Sequence, residues 1–274
     1  MESNRLSDRV AIVTGGGRGL GRAMVLGLAR AGARVVATAA RERPEIEAVA
    51  EEARRERGKD CVVPLVADVT AEQDCRRAVE TAIARFGRLD ILVNNAGRGM
   101  KYVSGTFLTE PTRFWTIEPG IWRTVIDTNV NGPFLMARSA VPVMLEAGWG
   151  RVVNISMNHE TMRRRGFSPY GPSKAALESE TIIWAQELAG TGVTVNALLP
   201  GGATLTGMIP DGVLDEMRSA MLDPAIVVPP LVWLAGPESD EVTGRRLVAT
   251  RWRTDCEGRE AAETAIDDAG WALA

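Results

Sequence analysis

Only one histidine, His159, stands in 274 residues. That excludes a multi-histidine metal centre, and no metal site is expected. Three cysteines, Cys61, Cys75 and Cys256, sit at unrelated spacings. Their odd number fits neither a disulfide frame nor a metal site, and free thiols suit a reducing compartment, so the cytoplasm is the expected location. Aromatic residues make up 5%, a poor stacking platform for single-stranded nucleic acid. Neither charge sign dominates: 32 basic against 35 acidic residues give −3. That balance points to no nucleic acid and no anionic membrane surface as partner. No apolar run is long enough to span a bilayer, and the opening residues MESNRLSDRV lack the apolar core of a signal peptide.

What the chain does have is alternation. Short β-branched runs change places with longer helical patterns, as in βαβ units that build a parallel sheet. Strands are expected at residues 9–13, 34–38, 62–67, 91–93, 151–155, 194–198 and 247–250. Helices are expected over 20–31, 44–57, 71–86, 121–146 and 172–188. Residues 98–120 read as irregular, 201–230 as a mobile lid rich in Gly, Pro and Met, and 251–274 as a polar tail. With no linker or repeat to divide the series, the expectation is one domain over residues 1–250, followed by the tail. The implied fold is α/β, a three-layer, doubly wound parallel sheet of the Rossmann type.

Between the first strand and first helix lies Thr14-Gly15-Gly16-Gly17-Arg18-Gly19-Leu20-Gly21. Glycine lets the backbone turn tightly and approach a pyrophosphate, and the helix N-terminus offers unpaired N–H groups. The spacing is GxxxGxG (Gly15, Gly19, Gly21), not GxGxxG. An acid at the end of the second strand would bind ribose hydroxyls. Here the strand runs into Thr38-Ala39-Ala40-Arg41. Arg18 and Arg41 can instead approach a 2′-phosphate, which favours NADP(H) and leaves NAD(H) possible.

In Tyr170-Gly-Pro-Ser-Lys174, Pro172 suits a first helical turn, and residues four apart share a helix face. A tyrosine of pKa ~10 carries protons poorly near neutrality. A cation ~4 Å away at an effective dielectric of ~20 is worth ~4 kcal/mol, about three pKa units, so Lys174 is expected to bring Tyr170 toward pH 7.

These motifs together resemble the short-chain dehydrogenase/reductase family, in its small single-domain branch. The resemblance covers residues 8 to about 250 and rests on TGxxxGxG (14–21), Asp68, Asn94-Asn95-Ala96-Gly97, Asn129, YxxxK (170–174) and Pro200-Gly201. It implies an NAD(P)-dependent oxidoreductase that interconverts an alcohol and a ketone or aldehyde by hydride transfer. Tyr170 would be the acid/base, with Lys174 on the nicotinamide ribose and Asn129 anchoring a relay water. Asp68 and Val69 would contact the adenine, and Asn95, Ala96 and Gly97 would line the cofactor together with Gly15, Arg18, Gly19, Leu20, Gly21 and Arg41. Thr204 or Thr206, after Pro200 and Gly201, would approach the nicotinamide amide. A homo-oligomer, dimer or tetramer, is also implied.

One departure stands out. The family's serine, about thirteen residues before the tyrosine, falls on Met157, with Ser156 one residue earlier. Neighbouring strand positions face opposite ways. Three readings compete: a bulge brings Ser156 into the site, Asn158 or His159 substitutes, or the site is weakened. The last leads to the alternative function, a cofactor-binding or sensor protein without turnover. A nucleotide-sugar epimerase is disfavoured, because little chain is left for a sugar-binding domain. The insertion at 98–120 and the run Arg163-Arg164-Arg165 lie in the stretches that set specificity, and they do not name the substrate.

Overall fold

In the computed structural model, residues 5–210 and 214–270 are described. Seven parallel strands and one antiparallel strand form a single sheet. In chain order the elements are β1 (Val10–Val13), α1 (Gly19–Arg30), β2 (Arg34–Ala39), α2 (Arg43–Arg57), β3 (Val62–Val66), α3 (Glu72–Phe86) and β4 (Ile91–Asn94). Then come α4 (Pro119–Ile126), α5 (Gly132–Ala147), β5 (Gly150–Ile155), α6 (His159–Met162), α7 (Tyr170–Glu187) and β6 (Val193–Leu199). The last are α8 (Asp215–Ser219), α9 (Val228–Leu234), β7 (Arg245–Val248), α10 (Gly258–Glu263) and β8 (Ile266–Asp268). Strand order is β3-β2-β1-β4-β5-β6-β7-β8. The order reverses between β1 and β4, so a crevice opens beyond their carboxyl ends.

The central strands are buried on both faces, as βαβ crossovers demand. Along β1, Ala11 and Val13 join one core with Met24 and Leu28 of α1 and Leu231 and Trp233 of α9. Val10 and Ile12 point into the other, with Ala78, Val79 and Ala82 of α3 and Met136, Ala140 and Met144 of α5. That is the period-two alternation of a strand covered by two helical layers. Helix α3 buries Cys75, Ala78, Val79 and Ala82, a stripe at i, i+3, i+4 and i+7. It stops at Gly87, whose N–H bonds the Ile83 carbonyl.

The expected helix over 121–146 is broken by a π turn at Asp127–Asn131. Pro133 has no N–H to give the carbonyl of Asn129, so the ladder cannot run through unchanged.

Two expectations need correction. The stretch 201–230 is not lid throughout. Asp223 caps a 3-10 turn at Pro224–Val227, α9 follows, and Val227 is fully buried in the core. Residues 211–213 of that stretch lie outside the described residues, as do 1–4 and 271–274. Nor is the sheet finished at residue 250. Ile266–Asp268 pairs antiparallel with β7, and an Arg245–Asp268 ion pair joins the two strands. Apolar residues alternate too little in 251–270 for the pattern to show a strand, and antiparallel edge pairing needs only backbone. No helix among the described residues is long and apolar enough to cross a membrane.

Candidate active site

A cleft of about 660 Å³ opens at the carboxyl ends of β1, β2, β3 and β4. Gly15, Gly17, Arg18, Gly19, Leu20 and Gly21 form its floor. Arg41, Asp68 and Val69 lie along one side, and Asn95, Ala96 and Gly97 along the other. The glycine turn is built for close approach. Gly15 has φ +65°, and a Cβ on Gly21 would sit 1.9 Å from the Gly15 carbonyl oxygen. Thr14 ties the turn to the end of β4. Its hydroxyl accepts from the N–H groups of Asn95 and Ala96, both at 3.0 Å, and donates to the Val93 carbonyl at 3.3 Å. The Asn95 amide donates back to the Thr14 and Gly15 carbonyls at 2.8 and 3.0 Å. Asn95 thus braces the glycine turn while bordering the cleft.

The charge at the far side is mixed. Arg18, 62% exposed in its side chain, pairs with Glu45 at 3.5 Å, and Glu42 and Glu45 line the cleft beside Arg41. Asp68 accepts from the Thr70 N–H at 2.9 Å and the Thr70 hydroxyl at 2.8 Å. Backbone glycines, an adjacent helix N-terminus and this rim fit a dinucleotide pyrophosphate and its adenosine.

Toward β5 the geometry concerns Asn129, Tyr170 and Lys174. Asn129 is fully buried in the π turn. Its Oδ1 accepts from the Arg98 N–H at 2.8 Å, and its Nδ2 donates to the Arg98 carbonyl at 3.0 Å and to Ser173 Oγ at 2.9 Å. Ser173 donates to the Tyr170 carbonyl at 2.7 Å. A continuous chain of hydrogen bonds therefore runs from the cleft wall to the first turn of α7. Lys174, 4% exposed, donates from Nζ to the Ile155 carbonyl at 2.7 Å. Burial pulls its pKa down to about 8, against the raising effect of Glu178.

Here the residues depart from the simple ion-pair expectation. Tyr170 is pushed up to about 12 by burial, with no lowering effect from Lys174. The ammonium is directed at a carbonyl, and desolvation of the phenolate dominates. Among the described residues nothing hydrogen-bonds the Tyr170 hydroxyl.

Other expected residues take different places. Ser156 donates its hydroxyl to Glu178 at 2.6 Å, so no bulge frees it for a substrate. His159 is engaged with the same carboxylate and with Arg246, and Asn158 donates to the Gly201 carbonyl at 3.0 Å. Thr204 is paired with Leu222 and bonds the Gly202 carbonyl. It is Thr206 that borders the cleft, lying against Gly19. The Pro200 carbonyl accepts from the Thr250 N–H at 3.1 Å. In the 98–120 insertion, Tyr102 reaches the cleft, and Phe107 packs edge-on against Phe167 at 5.9 Å. Phe114 and Trp115 remain 68% exposed, and Arg163, Arg164 and Arg165 are all exposed.

Composition and motif gave no sign of two buried charges, Glu178 and Arg246. The available signal was spacing: Glu178 lies one turn beyond Lys174 on the same helix face.

The family model for short chain dehydrogenase matches residues 9–215. The chain belongs to the short-chain dehydrogenase family. Within this oxidoreductase family, an uncharacterized oxidoreductase of Mycobacterium tuberculosis is 36% identical over 253 residues, covering 89% of this chain and 91% of its own. An acetoacetyl-CoA reductase of Allochromatium vinosum is 35% identical over 249 residues, covering 87% and 96%. Among solved structures, a 3-ketoacyl-(acyl-carrier-protein) reductase of Brucella melitensis complexed with NADH aligns with a TM-score of 0.76. It is 30% identical, and the match covers 89% of this chain and 97% of that one. A nicotinamide dinucleotide is therefore the cofactor class that this short-chain dehydrogenase's cleft suits.

Proposed function

We propose that this short-chain dehydrogenase reduces a ketone or aldehyde to an alcohol, with Tyr170 as the proton donor. The observation that carries this is the hydrogen-bonded chain Arg98–Asn129–Ser173–Tyr170, which ties the first turn of α7 to the wall of a glycine-floored cleft. When bound, the nicotinamide supplies or accepts the hydride. The protein does the rest. Tyr170, held protonated by burial, donates its phenolic proton to the oxygen that gains charge. Lys174, held on the Ile155 carbonyl, would bind the nicotinamide ribose that the family resemblance assigns to it. Asn129, fixed on both faces of its amide, keeps α7 and the cleft wall in register. Below about pH 12 the tyrosine holds its proton, and below about pH 8 the lysine holds its charge. Reduction is thus favoured through neutrality and should fall away above about pH 8.

NADP(H) is the proposed preference, supported by Arg18 and Arg41 at the cleft rim and moderated by Glu45. A cytoplasmic location, consistent with the free thiols Cys61, Cys75 and Cys256, belongs to the same reading. So does a homo-oligomer, which would cover Trp122, Phe134 and Ile183, exposed at 40%, 47% and 48% on α4, α5 and α7. The test is oxidation of NADPH and NADH by the purified protein over a panel of ketones, aldehydes and β-ketoacyl thioesters. Carbonyl-dependent turnover with NADPH the better donor is expected. Binding of both nucleotides without turnover on any carbonyl would overturn the reading and leave a cofactor-binding protein.

A further inference from the structure

Glu178 is 1% exposed, yet four donors from four segments close on its carboxylate. Ser156 Oγ, just past β5, lies 2.6 Å from Oε1, and Arg246 Nη2 of β7 lies 3.3 Å from the same atom. The backbone N–H of Gly270, beyond β8, donates to Oε2 at 3.1 Å, and His159 Nε2 of α6 is 3.3 Å from it. The far side of the imidazole decides the proton's place. His159 Nδ1 lies 3.2 Å from Arg246 Nη1, and a guanidinium can only donate. Nδ1 must accept, so His159 is the neutral Nε2–H tautomer and donates to Glu178. Arg246 also donates to the Met157 carbonyl at 2.8 Å.

We infer that Glu178 is a positioning residue: through Ser156, His159 and Arg246 it fixes the segment carrying Met157 against the helix of Tyr170 and Lys174. Only the kinetic part of this role rests on the reductase reading. A buried carboxylate is costly unless its lone pairs are met, and here they are. The titratable and charged groups facing Glu178 are Lys174 from its own helix, the neutral His159 from α6 and Arg246 from β7. Asp267 and Arg251 act in turn on Arg246. A carboxylate one turn away opposes the burial that otherwise strips Lys174 of its proton.

The test compares wild type with Glu178→Gln and Glu178→Asp in the full chain, using NADPH as the probe. Three things are read: NADPH affinity against pH, kcat and KM against pH, and the nitrogen chemical shifts of the single histidine. Wild type should show the neutral Nε2–H pattern. Glu178→Gln should change that pattern and move the alkaline loss of NADPH affinity, and of kcat/KM, down by about one pH unit. Glu178→Asp should restore the midpoints while kcat stays reduced. If Glu178→Gln lowers Tm but leaves both midpoints at the wild-type pH, the carboxylate is packing alone and the inference is overturned. If wild type turns over no carbonyl, the reductase reading fails while the NADPH midpoint still judges Glu178. Should Glu178→Gln not fold, Arg246→Lys keeps the charge but loses the fork that reaches His159 and the Met157 carbonyl together. A roughly tenfold drop in kcat with NADPH affinity kept supports the inference, and an unchanged kcat overturns it.

Discussion

At the scale of single residues, the site is decided by which hydroxyls and charges are already spent. Ser156 is bound to Glu178, Asn158 to Gly201 and His159 to Glu178 and Arg246, so on the proposed reading Tyr170 is the donor left for a carbonyl oxygen. Restoring a donor at the family's serine position should therefore help. Met157→Ser is expected to raise kcat on a good carbonyl about tenfold, given that one such donor is worth about 10²–10³ in other sites. An unchanged or lowered kcat would show that the oxygen is oriented some other way. The cofactor rim has a similar logic. Glu45 holds Arg18, so Glu45→Gln should release that guanidinium and raise the ratio of NADPH to NADH affinity by a few-fold. The effect is small because an ion pair this exposed is worth only about 0.2–1 kcal/mol. Direct titration of both nucleotides checks it.

Elements explain why so much of the site was legible. Glycine spacing, the position of Thr14–Gly21 between β1 and α1, and Tyr170 four residues from Lys174 are local patterns, and the backbone follows them. Partner choice is not local. Nothing in the sequence says that Ser156 turns to Glu178, or that Asn129 sits in a π turn, until Pro133 and Arg98 are placed around it. The pKa of Tyr170 went the other way for the same reason. Spacing shows which charge is near, whereas burial and the direction of Lys174 Nζ decide which effect wins. The glycine turn offers the cleanest check at this scale. In Gly21→Ala the new methyl would meet the Gly15 carbonyl at 1.9 Å, so the turn must open. Overpacking of this kind costs about 1–3 kcal/mol. Loss of measurable nucleotide binding is expected, with Tm lowered but a folded protein retained by circular dichroism.

For the whole molecule, residues 266–270 belong to the sheet and to the packing around Glu178. β8 completes the sheet beside β7, and the Gly270 N–H donates to Glu178 of α7. That continuity was illegible because a three-residue edge strand carries no hydrophobic alternation. Truncation after Ala265 removes the β7–β8 pairing and the Gly270 contact together. Each kcal/mol lost lowers Tm by about 2–4 °C in a domain of this size. A drop of several degrees and a parallel fall in kcat are expected, and differential scanning calorimetry beside the reductase assay measures both. An unchanged Tm would mean that the sheet is complete at β7. The central claim concerns the proton that Tyr170 carries, and it is most directly tested by single-turnover reduction of a carbonyl substrate with NADPH in Tyr170→Phe. The account predicts a rate about 10²–10⁴-fold below wild type with NADPH affinity unchanged. A rate within a few-fold of wild type would contradict it.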